Sequence, residues 1–324
     1  MEVNRLLDWA GSYILASDLP EWGMNVISIG NFDGVHLGHM ALLDRARALA
    51  GGSQVTVVTF EPHPASIVRP DMVPRRLSTS SQRRELLLAA GADEVRELEP
   101  TPELLGLGAR EFIDRMRAEF DFGAIVEGRD FRFARRRSAG VEELAAIGQE
   151  CGFAVELLDE VLVRLEDQTE VPVRSTLIRW LLEHGRVVDA ARALGRPYRI
   201  SGTVVAGDKR GRTLGYPTAN LDHGDQVLPA DGVYAGLALL PDGTRRVAGV
   251  SVGTKPTFNG AERVAEAHLI DHDAPVDEYG WNLEIDLVHW LREQLRFDDV
   301  EQLCACMDRD CQQARQAIEE QVIL

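Results

Sequence analysis

The chain has 324 residues, of which 45% are hydrophobic and 27% are charged, proportions typical of a globular protein with room for two domains. Its formal net charge of −17 argues against broad electrostatic binding to nucleic acid, which needs a basic surface. The sequence has no apolar run of membrane-spanning length and no signal-peptide pattern at its start. We therefore expect a cytoplasmic protein with neither a nucleic-acid nor a membrane partner.

Strand-like and helix-like segments alternate through the first half of the chain. Strands are predicted at 26–29, 55–60, 92–98, 124–126 and 154–157, and helices after the first strand, at 81–90 and near 111–120. This alternation predicts a parallel α/β sheet. Ligand sites in such sheets lie at the carboxyl ends of the strands.

The first strand is followed by the motif Gly30-Asn31-Phe32-Asp33-Gly34-Val35-His36-Leu37-Gly38-His39. Glycines let the backbone approach a ligand closely, and the free N–H groups at a helix start favour phosphate. His36 and His39, three residues apart in the first turn of a predicted helix, share one face and can donate hydrogen bonds to a triphosphate. The motif predicts a nucleotidyl-transfer site, and the alternative is a chance pair of surface histidines. A second motif, at 59–64, also follows the carboxyl end of a strand.

The pattern changes in the second half. Two short helices, at 175–184 and 187–194, are each followed by a glycine suited to a helix C-terminus. Strands are then predicted at 198–205, 232–240, 245–252, 263–271 and 282–290, and a last helix at 300–323. Successive strands joined by turns favour a small antiparallel barrel. We place the domain boundary between residues 187 and 188.

A second glycine-rich stretch, at 207–220, combines three glycines and several basic residues with a Pro-Thr-x-Asn turn. Thr218 and Asn220 offer neutral oxygens that Mg²⁺ accepts beside substrate phosphates. The stretch lacks the ending of a P-loop, so an ordinary hairpin turn is the alternative interpretation. On a later strand, Glu266 is a candidate base for a kinase acting on a hydroxyl, or else an exposed edge carboxylate.

Two further groups have simpler interpretations. The four cysteines are Cys151, Cys304, Cys306 and Cys311, and the spacing of the last three is not one that binds zinc. The run Arg135-Arg136-Arg137 is either a solvated loop or a phosphate contact.

A series of sequence blocks occurs in an order that matches one family. The blocks are GNFDGVHLGH, TFEPHP, EGRDFRF and RSTLIR, then GRPYRISGTVVAGDKRGRTLGYPTANL, DGVYAG, GVSVGTKPTF, AEAHLID, LEIDLVHWLRE and RFDDVEQL. From about residue 26 to about residue 303 the chain resembles the bacterial bifunctional riboflavin kinase/FAD synthetase (FMN adenylyltransferase) family. The resemblance implies an N-terminal Rossmann-like nucleotidyltransferase α/β domain, 1–187, and a C-terminal flavokinase β-barrel domain, 188–324.

The resemblance also implies two reactions. The C-terminal domain phosphorylates riboflavin to FMN with ATP, and the N-terminal domain adenylylates FMN to FAD with release of pyrophosphate. Riboflavin, FMN and ATP are the implied partners, and Mg²⁺ accompanies ATP in both reactions. The oligomeric state is left open.

Residue roles follow from the same resemblance. His36 and His39 would stabilise charge on the ATP phosphates, and Glu266 would be the catalytic base of the kinase. Thr218 and Asn220 would bind the metal and the nucleotide. The complete set assigned to nucleotide and flavin binding is Gly30, Asn31, Phe32, Gly34, Asp130, Phe131, Ser175, Thr176, Arg179, Gly207, Gly211, Arg212, Thr213, Thr218 and Asn220.

The chain departs from the family pattern at two places in its first half. Pro172-Val173-Arg174-Ser175-Thr176 stands where the family has Arg-x-Ser-Ser-Thr, and Phe133-Ala134-Arg135-Arg136 where it has Phe-Gly-x-Gly. We hypothesise that Arg174, or an arginine of the 135–137 run, replaces the missing cation.

Three alternatives to the bifunctional enzyme remain. One is a riboflavin kinase with a degenerate adenylyltransferase domain, and another is a non-catalytic flavin- or nucleotide-binding regulator. The third is an RNA-directed enzyme, because class I aminoacyl-tRNA synthetases also use an H-x-G-H element. The acidic composition and the absence of a Lys-x-Ser-Lys-Ser sequence argue against the third.

Overall fold

The computed structural model describes residues 23–207, 214–257, 260–272 and 278–322. The chain divides into two compact units. The first contains residues 23–32, Gly38–Val73 and Arg84–Glu160, and the second contains Asp33–Leu37, Pro74–Arg83 and the described part of Val161–Leu324. Two short N-terminal segments therefore belong with the C-terminal half. The single boundary between 187 and 188 stays a prediction.

The first unit is built on a parallel sheet. In the described residues, its strands pair in the order β3-β2-β1-β4-β5. The strands are β1 (Val26–Ile29), β2 (Val55–Phe60), β3 (Glu94–Leu98), β4 (Ala124–Gly128) and β5 (Ala154–Leu158). All four residues of β1 are buried, as expected for a central parallel strand covered on both faces. The predicted α/β sheet is confirmed.

Helices follow most of these strands. In the N-terminal half they are α1 (Leu37–Ala50), α2 (Ala65–Val68), α3 (Ser80–Ala89), α4 (Pro102–Gly106), α5 (Ala109–Glu119) and α6 (Val141–Cys151), with short 3₁₀ turns at Pro70–Met72 and Arg135–Arg137. Helix α5 directs Phe112, Ile113 and Met116 into a core shared with Ile27 and Ile125 of the sheet. The predicted helices at 81–90 and 111–120 are confirmed within two residues, whereas α2, α4 and α6 lie outside the predicted set.

The strand order reverses at β1, since β2 lies on one side of it and β4 on the other. The pairing of β1 with β4 ends at Ile27 and Ile125, two residues before β1 itself ends. The carboxyl ends of β1 and β4 thus border the switch point, which is where open α/β sheets bind ligands.

The second unit contains a closed antiparallel barrel. Around the ring, the described strands follow the order β10-β11-β12-β9-β8-β13. They are β8 (Tyr198–Val205), β9 (Ala219–Asp222), β10 (Gly232–Leu239), β11 (Arg245–Thr257), β12 (Gly260–Leu269) and β13 (Asn282–Arg292). Alternate residues of β13, namely Leu283, Ile285 and Leu287, are fully buried. The predicted barrel is confirmed, and β9 is an unpredicted strand.

Three helices and a hairpin complete the second unit. Helices α7 (Ser175–Glu183) and α8 (Val187–Leu194) join the barrel core, and a hairpin pairs β6 (Leu162–Arg164) with β7 (Glu170–Pro172). Gly195 ends α8 with φ 73°, the left-handed conformation that its sequence position predicts. Helix α9 (Val300–Val322) is tied to β13 by two hydrogen bonds from Arg292 to Asp310, of 2.9 and 2.7 Å.

Among the described helices, none is long and apolar enough to cross a lipid bilayer.

Candidate active sites

In the first unit, the predicted motifs meet at the carboxyl edge of the sheet. Gly30 continues β1 by donating its N–H to the Val58 carbonyl, at 3.0 Å. The Asn31 amide nitrogen lies 3.2 Å from His63 Nε2, and Thr59 Oγ1 donates to the Asn31 carbonyl at 3.1 Å. His63 Nδ1 also accepts a hydrogen bond from the N–H of Ala65, at 3.0 Å. The two strand-end motifs therefore form one polar cluster.

Two aromatic pairs flank this cluster within the same unit. The Phe32 and His39 ring centroids are 5.0 Å apart, and Phe32 is buried with φ 48°. Beyond β4, Phe131 stacks on Phe133 with ring centroids 5.4 Å apart. Asp130 folds back over the end of β4, because a Cβ on Gly128 would lie 2.9 Å from Asp130 Oδ1. The predicted site residues Phe32, Asp130 and Phe131 thus lie at or near the carboxyl ends of β1 and β4.

Glu127 is a buried carboxyl at the switch point that the sequence analysis did not single out. Its Oε1 accepts the N–H of Ile29 at 2.6 Å, just past the last backbone pair of β1 and β4. Burial raises the pKa of Glu127 well above its usual range, and the Ile29 hydrogen bond opposes part of that rise. The side chain bridges the two strands where they diverge.

In the second unit, the segment Asp33–Leu37 forms a tight turn around the Asp33 carboxylate. The backbone N–H groups of Leu77 and Ser78 donate to it at 3.0 and 3.2 Å, and Arg179 forms an ion pair with it. The N–H of Gly34 donates to Ser78 Oγ at 3.1 Å. Gly34 needs its φ of 82° and leaves no room for a side chain, because a Cβ would lie 2.9 Å from Leu77.

His36 is buried and lies one residue before α1, so the prediction that both histidines are in the first helical turn is wrong for His36. Val35 has φ 38°, which is outside the right-handed helical region, so the helix does not extend towards the N-terminus through Val35. Burial lowers the pKa of His36 to about 4, and the charges of Arg196 and Arg179 act in the same direction. The imidazole is therefore neutral at pH 7.

The start of α7 contains the three predicted binding residues of the RSTLIR block. Ser175 Oγ donates to the Asp33 carbonyl at 2.9 Å, and Arg179 forms its ion pair with Asp33 and also donates to the Arg75 carbonyl. Thr176 is exposed in the first turn. Arg174 occupies the N-cap position without a side-chain cap, where the family's serine would be a favoured residue.

The second departure from the family pattern falls on strained backbone. Ala134 has φ 63° and ψ −176°, a region that essentially only glycine adopts, and Arg136 has φ 57° and ψ 25°. These are the positions at which the family has glycine. The loop is closed by Phe133 and Ala139, whose backbone groups exchange two hydrogen bonds of 3.2 Å. The exposed arginines at 135–137 thus lie on a loop whose backbone keeps the positive-φ conformations that glycine adopts.

In the barrel, the predicted base and the predicted metal ligand face each other. Glu266 of β12 is the direct cross-strand partner of Asn220 of β9. Directly opposed side chains have Cβ atoms about 4.5–5.5 Å apart, so the two groups share one site. Glu266 is half-buried between the fully buried Ala265 and Ala267. Gly207 must lack a side chain, because a Cβ there would collide with the Asn220 amide.

Two side chains hold the Pro-Thr-x-Asn turn against β12. His268 Nδ1 donates to the Pro217 carbonyl at 2.9 Å, and the Tyr216 ring packs edge-on against His268 at 5.4 Å. The Tyr216 hydroxyl donates to Asp308 of α9 at 2.7 Å, and this hydrogen bond raises the pKa of Tyr216 to about 12. Thr218 is half-buried immediately before β9.

The predicted binding residues Gly211, Arg212 and Thr213 lie outside the described residues.

Several residues that support these sites were absent from the predicted set, namely Asp33, His63, Ser78, Glu127, Arg196 and His268. Asp33 and His63 stand inside motifs, and His268 lies two residues beyond Glu266, so these three could have been found by their positions. Glu127 and Arg196 stand inside two of the family blocks, but neither block predicts their contacts, because their partners are distant in the chain. Ser78 lies outside those blocks, and its partner is distant as well.

A parallel sheet with a glycine-bearing strand-end turn, joined to a barrel with an opposed carboxylate and amide, defines a two-domain transferase that acts on nucleotides. The chain matches the family model described as FAD synthetase over residues 19–173, and that described as riboflavin kinase over residues 194–318. The chain belongs to the bifunctional riboflavin kinase/FMN adenylyltransferase family.

Relatives with that name are similar along most of their length. The protein of Escherichia coli (strain K12) is 34% identical over 308 residues, covering 93% of this chain and 94% of the relative. That of Pseudomonas fluorescens is 35% identical over 300 residues, covering 91% and 94%. A crystal structure of a protein named macrolide-efflux protein from Streptococcus pneumoniae has a TM-score of 0.80 and 29% identity, covering 93% and 96%. The fold is thus shared across both halves.

We predict that burial of neutral His36 makes the protein acid-sensitive. Because the folded-state pKa is lowered from 6.5 to about 4, the unfolded chain binds a proton first as the pH falls. The free energy of unfolding is therefore unaffected above pH 6.5 and falls by about 3 kcal/mol between pH 6.5 and pH 4. Urea unfolding of the wild type and His36→Gln, compared at pH 7 and pH 4, measures this difference. Equal pH dependence of both proteins would contradict it.

We further predict that Ala134→Gly stabilises the protein by about 1–2 kcal/mol, because glycine relieves the strain at φ 63°. The same change at Ala145, inside α6, is the control and should destabilise by about 1 kcal/mol. Denaturation midpoints of the two variants measure the effects. A destabilised Ala134→Gly protein would show that the backbone is unstrained there.

Proposed function

We propose that this chain phosphorylates riboflavin to FMN in its barrel half and adenylylates FMN to FAD in its α/β half. Membership of a bifunctional family supports both reactions. The single observation that carries the assignment to residues is the direct pairing of Glu266 with Asn220, inside the stretch that matches riboflavin kinase.

In the kinase reaction, the terminal ribityl hydroxyl of riboflavin attacks the γ-phosphorus of ATP. The bond from that phosphorus to the β,γ-bridging oxygen breaks, ADP leaves, and the hydroxyl proton passes to the Glu266 carboxylate. Asn220 directly opposite Glu266 would place the nucleotide phosphates beside the base. His268 supports the preceding turn through the Pro217 carbonyl.

A magnesium ion fits the donors of this site. Thr218 and Asn220 would hold it through neutral oxygens, and the shortage of charged ligands suits an ion that keeps waters and binds substrate phosphates. When bound, Mg²⁺ supplies positive charge to the phosphate oxygens of ATP. Gly211, Arg212 and Thr213 remain predicted nucleotide contacts.

In the adenylyl transfer, a phosphate oxygen of FMN attacks the α-phosphorus of ATP, and the bond to the α,β-bridging oxygen breaks to release pyrophosphate. His36 and His39 would donate ring N–H groups to the phosphates as charge develops. Neutral His36 has one such N–H at pH 7. Gly30, Asn31, Phe32 and Gly34 would shape the turn, with Asp130, Phe131, Ser175, Thr176 and Arg179 as further contacts to nucleotide or flavin.

The kinase-only enzyme and the non-catalytic regulator are weaker alternatives than the bifunctional enzyme. The stretch 19–173 matches FAD synthetase despite its departures, and the loop at Ala134 keeps the positive-φ conformations that glycine adopts. A regulator without turnover would not need a carboxylate opposite a metal-ligating amide. A cytoplasmic location and the lack of a nucleic-acid partner remain predictions.

We predict that the two activities separate by single substitutions. Glu266→Gln should reduce FMN formation from riboflavin at least about 100-fold, through loss of the base, yet still convert supplied FMN to FAD. His39→Gln should reduce FAD formation from FMN but leave FMN formation from riboflavin unchanged, so FMN should accumulate. Chromatographic separation of riboflavin, FMN and FAD after incubation with ATP and Mg²⁺ measures both.

Glu278→Gln and His289→Gln are the matched controls, because both residues are exposed. They should leave both reactions unchanged. If unaltered protein made FMN but no FAD, the kinase-only alternative would replace our proposal. Bound flavin without any consumption of ATP would select the regulator instead.

We also predict that Arg174 or the 135–137 run supplies a cation for adenylyl transfer. Alanine at all four positions should abolish FAD formation from FMN and spare FMN formation from riboflavin, because the kinase residues are untouched. The same chromatographic assay reports the result. Unchanged FAD synthesis would remove these arginines from the site.

A further inference from the structure

Arg196 is a half-buried arginine whose hydrogen bonds go to backbone carbonyls. Its guanidinium donates to the carbonyl oxygens of Gly34 at 2.6 Å, Val35 at 2.9 Å and Leu194 at 3.1 Å. Burial lowers the pKa of Arg196 to about 10, the charge of Arg199 acts in the same direction, and the charge of Asp286 opposes them. A half-buried cation loses part of its hydration, and the three carbonyl oxygens replace part of it.

One of the carbonyls that Arg196 binds belongs to strained backbone. Gly34 has φ 82°, which glycine adopts without strain, whereas Val35 has φ 38°, a genuine outlier for a β-branched residue. The conformation of Val35 costs about 1–3 kcal/mol and persists only where surrounding contacts hold it. The Asp33 network holds the turn before these residues, and the planar fork of Arg196 takes the two carbonyls that follow.

The position of Arg196 depends on the end of α8. Gly195 terminates that helix in the left-handed conformation, and the chain then turns so that Arg196 reaches the Leu194 carbonyl and the turn together. Arg196 belongs to the stretch that matches riboflavin kinase, at 194–318, whereas Gly34 and Val35 belong to the stretch that matches FAD synthetase, at 19–173.

We propose that Arg196 is a positioning residue for adenylyl transfer, holding the Gly34 and Val35 carbonyls so that the next residue, His36, keeps its place. This inference rests on the proposed function of His36. Burial is the main cause of the lowered His36 pKa, and the charge of Arg196 adds to it by disfavouring the imidazolium. A residue from the kinase part of the sequence therefore serves the other reaction.

The test uses the full chain with Arg196→Met and Arg196→Lys. Arg196→Met should lower kcat for FAD formation from FMN by about 10–100-fold through misplacement of His36, with FMN formation from riboflavin within about twofold of wild type. Arg196→Lys should recover part of the loss, because one ammonium reaches one carbonyl. Arg192→Met is the control, since Arg192 is an exposed arginine of α8 whose guanidinium lies 3.9 Å from Asp189.

A second readout separates positioning from general damage. Imidazole NMR, with His36 assigned by His36→Gln, should show its pKa rising above about 4 in Arg196→Met, although burial still holds it below 6.5. Unchanged FAD formation, equal loss of both reactions, or an unmoved His36 titration would overturn the inference. If wild type formed no FAD at all, the proposed function would fail, and the titration would still decide whether Arg196 acts on His36.

Discussion

The Asp33 carboxylate organises the N-terminal segments of the second unit. It accepts backbone hydrogen bonds from Leu77 and Ser78 and pairs with Arg179, so one side chain ties together three stretches that are distant in sequence. Removing one partner of such a buried pair costs about 3–5 kcal/mol, because the other charge stays desolvated. The histidine turn, the start of α7 and the segment Pro74–Arg83 all depend on this carboxylate.

The architecture could be predicted from local pattern. The continuous apolar run of β1 and the alternation of Leu283, Ile285 and Leu287 in β13 are the patterns of a central parallel strand and of a barrel wall, and both strands are confirmed. Residues of different predicted motifs also lie beside each other in the structure: Asn220 is opposite Glu266, and Asn31 contacts His63.

The rest could not be predicted, because it depends on contacts without local periodicity. Arg196 donates to the Gly34 carbonyl across 162 positions, and the blocks that contain the two residues do not predict this contact. Strand β9 is short, and two of its four residues are polar, so its composition is typical of a turn. His36 lies outside α1 because Val35 takes a backbone conformation that β-branched residues avoid.

The chain passes between its two units at 32/33, 37/38, 73/74, 83/84 and 160/161. A single genetic crossover therefore cannot exchange one complete unit between two related proteins. A chimera joined at residue 160 would take Asp33–Leu37 and Pro74–Arg83 from one parent and the barrel that these segments belong with from another. Recombination that preserves both parents' packing has to move those two short segments together with the C-terminal half.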